Sequence, residues 1–265
     1  MREFEGKVAL ITGGSSGIGR AAAMAFARAG ACVVVAARGE QRGREAVQQI
    51  QAAGGQAAFI CADVSQSEQV QRLIEKTVAE YGRLDCVFNN AASIEEPLAP
   101  TADFSEPQFD RSIALNLKSV WLCMKYEIRQ MLSQNPAGGA IVNTSSVNGL
   151  GGAPQAALYA TAKAGVLALT KSAALEYARR GIRINALVAG GFDTPMLEAA
   201  IDRASAGNPQ VREKVVKSYE GMVALGRIGR PQEAAQAALW LCSGAASYVT
   251  GHSMIVDGGW TAAIR

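Results

Sequence analysis

The chain has a single histidine, His252, among 265 residues, and none of its five cysteines stands in a Cys-x-x-Cys pair. No metal centre is therefore expected. The cysteines (Cys32, Cys61, Cys86, Cys123, Cys242) are odd in number and sit mostly in apolar runs. They are expected to be buried free thiols in a reducing compartment. No apolar run reaches the ~18–20 residues that a membrane span needs, and the opening MREFEGKVALITGG lacks the pattern of a cleaved leader. The expectation is a cytoplasmic protein with no membrane partner. Nor is there a block of basic residues, since a net charge of +3 is spread over scattered Lys and Arg with only short pairs such as Arg179-Arg180. Nucleic-acid binding has no electrostatic footprint here.

What the chain does have is core material and alternation. With 49% hydrophobic residues over this length, one α/β domain spanning residues 1–265 can cover a sheet on both faces. Short apolar runs rich in β-branched residues predict seven strands: Lys7 to Thr12, Cys32 to Ala36, Gln56 to Cys61, Leu84 to Phe88, Ala140 to Thr144, Ile182 to Val188 and Ser253 to Val256. Helical stretches lie between them. They run from the glycine turn to Ala29, from Arg42 to Ala53, onward to Tyr81, from Ser105-Glu106-Pro107 to Gln134, over 155–179, and from Arg230-Pro231 to Cys242. Ser65-x-x-Glu68 reads as a capping box for the third of these. The segment 191–226 is an excursion with one helix, from Asn208-Pro209 to Glu220, placed to close over a substrate. Strands alternating with helices imply a doubly wound parallel sheet of Rossmann type, with its ligand site at the C-terminal strand edge.

The first strand runs into Gly13-Gly14-Ser15-Ser16-Gly17-Ile18-Gly19 and then a helix. Such a turn lets backbone approach a pyrophosphate and aims a helix N-terminus at its charge. The glycines fall at 13, 17 and 19, so the G-x-G-x-x-G spacing is not met. The same letters fit G-x-S-x-G, the nucleophile elbow of an α/β-hydrolase with Ser15 as nucleophile and His252 late enough to complete a triad. Against that alternative, no chain lies upstream to build an oxyanion-hole loop. The second strand ends in Ala36-Ala37-Arg38, with no acid to hold the free ribose hydroxyls of NAD. Arg38, helped by Arg42, favours a 2′-phosphate by ~1.5–3 kcal/mol, about 10- to 100-fold, so NADP is expected and NAD is the alternative.

Tyr159 and Lys163 are four residues apart in a run of good helix formers, so both leave one helix face. A phenol beside an ammonium can act as a general acid, and a downward shift of ~2–3 pKa units, which one lysine together with a cationic nicotinamide ring could supply, would bring it near neutral pH. Ser146, thirteen residues earlier and just after an apolar strand, would add a hydroxyl to the same substrate oxygen. Ser145 is expected to bond locally, and His252 is left as a structural or interface residue.

Thr12-Gly13-x-x-x-Gly17-x-Gly19, Asn89-Asn90-Ala91, Asn116, Ser146 and Tyr159-x-x-x-Lys163, in that order, resemble the common single-domain form of the short-chain dehydrogenase/reductase family along nearly the whole chain. The resemblance implies hydride transfer between NADP(H) and a carbonyl or secondary alcohol, with Ser146, Tyr159, Lys163 and Asn116 as the catalytic set. A carbonyl of Asn116, freed by a local kink, would hold a water linked to Lys163. The resemblance further implies cofactor contacts from Gly13, Ser15, Ser16, Gly17, Ile18 and Gly19, from Asp63 and Val64 on the adenine, and from Asn90 and Ala91 on the ribose. Tyr159 and Lys163 would meet the nicotinamide ribose, and Phe192 and Thr194 the carboxamide. Two departures stand out: Ala92 replaces a glycine, which would be strained at positive φ, and Ala189 replaces a proline, loosening its turn. Substrate would lie against the loops 93–101, 147–155 and 191–226, where Glu95 and Glu96 offer acids to a cationic or hydroxylated ligand. A homo-oligomer, with the tetramer favoured, is the expected assembly, and a nucleotide-binding sensor without turnover is a further alternative.

Overall fold

The computed structural model describes residues 2–94 and 98–262. Its seven strands are β1 (Val8–Thr12), β2 (Cys32–Ala37), β3 (Gln56–Cys61), β4 (Cys86–Asn89), β5 (Gly139–Ser146), β6 (Ile182–Ala189) and β7 (Ser253–Val256). They form one parallel sheet in the order β3-β2-β1-β4-β5-β6-β7. The chain leaves β1 toward β2 and β3, then returns to the other side of β1 as β4. This reversal opens a crevice between β1 and β4 at the C-terminal strand edge, the usual ligand position in such sheets.

Strand periodicity explains the two cores. Ala9 and Ile11 of β1, with Val33, Val35, Phe88 and Val142, face α1 (Gly17–Arg28), α2 (Glu40–Ala52) and α9 (Pro231–Cys242). Leu10, Val34, Val87, Ile141 and Ile184 face the opposite way, against α3 (Ser67–Tyr81), α5 (Ser119–Ser133) and α6 (Ala157–Tyr177). Both faces are dry, which is why these strands read as continuous apolar runs.

The long stretch before β5 is not one helix. It is α4 (Glu106–Ile113), a π-helical turn at Ala114–Lys118, and α5. Ser105 starts α4 as expected, its backbone N–H donating to Gln108 Oε1 at 2.8 Å. The segment before α9 contains two helices where the sequence suggested one: α7 (Pro195–Ser205) and α8 (Pro209–Met222). Three cysteines are buried, but Cys32 is only half-buried and Cys61 is exposed, because the edge strand β3 is partly open to solvent.

One buried network crosses the sheet. Asn89 Nδ2 donates to Asn143 Oδ1 at 3.1 Å and to Glu127 Oε2 at 2.9 Å, and Asn143 Nδ2 donates to Thr170 Oγ1 at 3.0 Å. Glu127 is fully buried and its pKa is pushed up to about 8, chiefly by loss of solvent, with the Asn89 bond opposing. Glu127 Oε1 has no hydrogen-bond partner, which a neutral carboxyl tolerates far better than an anion. The folded protein thus holds a proton that the unfolded chain releases near pH 4.5. Stability from this group is greatest below that value and falls as pH rises toward about 8. Glu127→Gln is expected to remove that slope, leaving a variant more resistant to urea than the parent near pH 9. Equal slopes of the urea midpoint against pH in both proteins would refute the assignment.

Candidate active site

The glycine turn after β1 is built by two conformational needs and one steric one. Gly13 and Gly17 have φ of +65° and +50°, where side chains are strained. A Cβ on Gly19 would lie 2.3 Å from the Gly13 carbonyl oxygen, so glycine there lets α1 pack against the turn. Ser16 precedes α1 in extended conformation, its side chain caps nothing, and the first turn of the helix holds no acid. Ser15, Ser16, Gly17 and Ile18 line a cleft of about 420 Å³ into which this helix start opens. Free N–H groups at the positive end of a helix dipole suit a pyrophosphate. Buried Gly19 supports the turn from behind and does not line the cleft.

The turn is tied to β4 by a residue whose role the sequence alone did not reveal. Thr12 Oγ1 accepts the N–H of Asn90 at 3.1 Å and of Ala91 at 3.2 Å, while Asn90 Nδ2 donates to the Thr12 and Gly13 carbonyls at 3.4 Å each. Pairing of two strand ends is a long-range fact, and a threonine at a strand end carries no local sign of it. Ala92 does not take a positive φ, so alanine there brings none of the strain considered above.

At one end of the cleft, Arg38, Arg42, Asp63 and Val64 form the lining beyond β2 and β3. Glu40, the acid closest in sequence to the end of β2, is paired with Arg44 at 2.6 Å and does not line the cleft. Asp63 Oδ1 accepts the backbone N–H of Ser65 at 2.9 Å and its hydroxyl at 2.7 Å. This corrects the capping-box expectation. Helix α3 begins at Ser67 with Gln66 before it, and the Ser65 hydroxyl orients Asp63 because that carboxylate is the nearer acceptor.

At the other end, β5 delivers Ser146 and α6 delivers Tyr159 and Lys163. Ser146 and Tyr159 both line the cleft, and the Ser146 hydroxyl favours the ionised form of the Tyr159 phenol. Ser146 Oγ also accepts the Asn148 N–H at 3.2 Å. Lys163 is buried (1% exposed), with its Nζ 5.6 Å from the centre of the Tyr159 ring and donating to the Thr144 carbonyl at 2.9 Å. Ser145 donates to the Lys163 carbonyl at 2.8 Å, so it ties β5 to α6 where a local bond was expected. A Cβ on Gly149 would fall 2.7 Å from the Lys163 carbonyl carbon, which is why glycine allows that loop to press on α6.

Of the two charges expected to lower the phenol, the chain itself supplies Lys163, and that one alone does not lower it. Tyr159 is pushed up to about 12, mainly by burial, with the Ser146 bond pulling the other way. Burial also lowers Lys163 to about 8. The ammonium sits against the ring and spends a proton on Thr144, so in the bare protein its attraction does not outweigh the desolvation of a phenolate.

Asn116 lies in the π-turn, the kink anticipated at that position, and is fully buried. Its Oδ1 accepts the Ser93 N–H at 3.0 Å and its Nδ2 donates to the Ser112 carbonyl at 3.2 Å. The side chain thus pins the loop that starts at Ser93. Glu95 and Glu96 lie outside the described residues. Across the cleft, Thr194 Oγ1 donates to the Phe192 carbonyl at 3.2 Å and accepts the Leu197 N–H at 3.3 Å, starting α7. A Cβ on Gly17 would sit 3.1 Å from the Thr194 methyl, so the two turns nearly touch. Ala189 extends β6 in register with Ser146 and Val256, and the next residue, Gly190, donates its N–H to the Val256 carbonyl at 3.0 Å. That ladder holds the turn which an alanine was expected to loosen.

Ser15 gains no triad. His252 is exposed at the start of β7, on the sheet edge opposite the cleft, with its backbone bonded to Asn185 and Ala186. Among the described residues no group of three or more His, Cys, Asp or Glu side chains is placed to hold a metal, and no helix is long and apolar enough to cross a membrane.

Comparison with known proteins agrees with this geometry. Residues 13–261 match the family described as enoyl-(acyl carrier protein) reductase. The chain is 42% identical over 262 residues to a 2,5-dichloro-2,5-cyclohexadiene-1,4-diol dehydrogenase of Sphingobium indicum, covering 99% of this chain and 100% of the relative. It is 44% identical over 255 residues to an A-factor type gamma-butyrolactone 1'-reductase (1S-forming) of Streptomyces virginiae, covering 96% and 95%. The crystal structure of levodione reductase superposes with a TM-score of 0.91 at 34% identity, over 98% of this chain and 100% of that one.

Proposed function

The chain belongs to the short-chain dehydrogenase/reductase family, and from that premise we propose that it transfers a hydride reversibly between NADP(H) and a small carbonyl compound or secondary alcohol. It is an oxidoreductase, and its family uses a nicotinamide cofactor. The observation that carries the proposal is that Ser146 and Tyr159 line one cleft together with a glycine turn at a helix N-terminus. The relatives' names, a cyclohexadiene diol dehydrogenase and a gamma-butyrolactone reductase, support small alcohols and ketones as the substrate class.

In this reading the nicotinamide supplies or accepts the hydride when bound. Gly13 to Gly17 hold the pyrophosphate, Asp63 and Val64 the adenine, Asn90 and Ala91 the ribose, and Phe192 and Thr194 the carboxamide. Tyr159 gives its proton to the carbonyl oxygen on reduction, and the Ser146 hydroxyl donates to the same oxygen. Lys163 places positive charge behind the phenol, and Asn116 holds the adjoining turn. The absence of an acid at the end of β2, with Arg38 and Arg42 lining the cleft there, supports NADP over NAD.

Residues 1–265 then act as one catalytic unit in the cytoplasm, with the segment 191–226 covering substrate. Trp121 (44% exposed) and Leu175 (84% exposed) on α5 and α6 support assembly into a homotetramer. Sedimentation as a monomer at micromolar concentration would contradict that assembly.

The cofactor is tested by melting temperature with saturating NADPH and, separately, NADH. Ligand at 100 times its Kd adds ~2.7 kcal/mol, a readily measured shift. The larger shift is expected with NADPH; a larger shift with NADH would reverse the preference, and none with either would remove the cofactor from the proposal.

A further inference from the structure

Resting on the hydride-transfer reading of the cleft, we infer that its far end selects an uncharged, largely apolar ketone or alcohol, and that Trp260, positioned by Asp257 and backed by Tyr219, is the wall that makes the selection. The distribution of charge along the cleft is the first observation. The charged side chains lining it among the described residues, Arg38, Arg42 and Asp63, all follow β2 and β3. Beyond Ser146 and Tyr159, toward β6 and β7 at the other end of the sheet, the lining includes Val147, Met196, Leu197, Tyr219 and Trp260, with Asn148 as a polar neighbour. A carboxylate or phosphate seated there would lose its water and meet no cation among the described lining residues. An apolar substrate would exchange water for aliphatic and aromatic contact, with a neutral amide within the site for a second polar group.

The second observation is how much of the chain is committed to holding one indole. Trp260 follows β7 through a turn in which Gly258 and Gly259 have φ of +64° and +87°. Asp257 closes that turn. Its Oδ1 accepts the Gly259 N–H at 2.8 Å, and its Oδ2 accepts the Thr261 N–H at 2.8 Å and hydroxyl at 2.7 Å. The loop after α8 docks on the same turn, the Leu225 N–H donating to the Gly258 carbonyl at 3.1 Å. The indole then crosses Gly191, where an added Cβ would stand 3.3 Å from its ring. Tyr219 of α8 meets it edge-on, with ring centres 6.2 Å apart and planes at 79°, a favourable aromatic geometry. The wall is thus assembled from β6, β7 and α8. None of these contacts involves Ser146, Tyr159 or the glycine turn, so the wall can change without moving the reacting groups.

The test compares kcat/KM for a neutral ring ketone with that for the same ring bearing a carboxylate, with NADPH, in the parent, Trp260→Ala and Asp257→Asn. The parent is expected to prefer the neutral ketone by about 100-fold or more. Trp260→Ala should lose roughly 10- to 100-fold on the neutral ketone, mainly through KM, with the NADPH melting shift retained. Asp257→Asn keeps an acceptor for Gly259 but weakens the hold on Thr261, so it should raise KM several-fold with kcat little changed. A merely structural role would lower active enzyme and leave KM alone. If Trp260→Ala does not fold, Trp260→Leu carries the same comparison. Equal use of both ketones by the parent, or an unchanged KM in the Trp260 variants, would overturn the inference while the hydride-transfer reading stands. No turnover of either ketone, with no melting shift from NADPH, would overturn both.

Discussion

Tyr159→Phe is expected to reduce ketone turnover by about 10²–10⁴-fold while the NADPH melting shift persists. That range is the usual worth of a positioned general acid. The substitution removes one hydroxyl from a ring whose packing on Lys163 is kept, so the loss reads proton transfer and little else. The pKa values add a sign. With the phenol pushed up to about 12, Tyr159 is protonated throughout the neutral range and ready to donate. With Lys163 brought down to about 8, its charge is present below that pH and lost above it. Ketone reduction should therefore be nearly flat from pH 6 to 7.5 and decline above pH 8, whereas alcohol oxidation, which needs the phenolate, should rise with pH. A Tyr159→Phe enzyme retaining more than about a hundredth of the parent rate would remove Tyr159 from the acid's role.

Arg38→Ala should weaken NADPH by about 10- to 100-fold and leave NADH within a few-fold, because a charge-assisted bond to a phosphate is worth ~1.5–3 kcal/mol and NADH has no phosphate there. Arg38 is exposed, so the change should cost little stability. Arg42, which lines the same end of the cleft, is expected to limit the loss. Dissociation constants by titration decide the matter. Equal weakening of both nucleotides would mean that Arg38 acts on a part the two cofactors share, and no weakening of NADPH would take it out of the site.

The strands were legible because both faces of the sheet are buried, so Val8–Ile11 and Cys32–Ala37 carry apolar residues at every position. Of the residues in the motif order, Gly13, Gly17, Asn90, Ser146 and Tyr159 line one cleft. What the sequence hid was set by partners distant along the chain. Ser65 obeys a local capping pattern, yet the Asp63 carboxylate takes its hydroxyl. Ser145 looked locally bonded because nothing near it announces the Lys163 carbonyl. The Tyr159–Lys163 spacing put an ammonium beside the phenol but could not show that burial by the protein's own groups raises the phenol, because depth of burial cannot be counted from spacing. Helix α7 was missed although its signals were present, a Thr194 cap followed by Pro195. Trp260 gave no warning at all, since its place over the cleft depends on β6, β7 and α8 meeting at one corner.

The most direct measurement follows the nicotinamide absorbance of NADPH mixed with the protein and a panel of small neutral ketones, alongside a 3-oxoacyl thioester and an ester. Oxidation of NADPH by at least one neutral ketone, lost in Tyr159→Phe, is the expected result. Ester hydrolysis that needs Ser15 and no nucleotide, preferential reduction of the thioester, or ketone reduction that survives in Tyr159→Phe would contradict it.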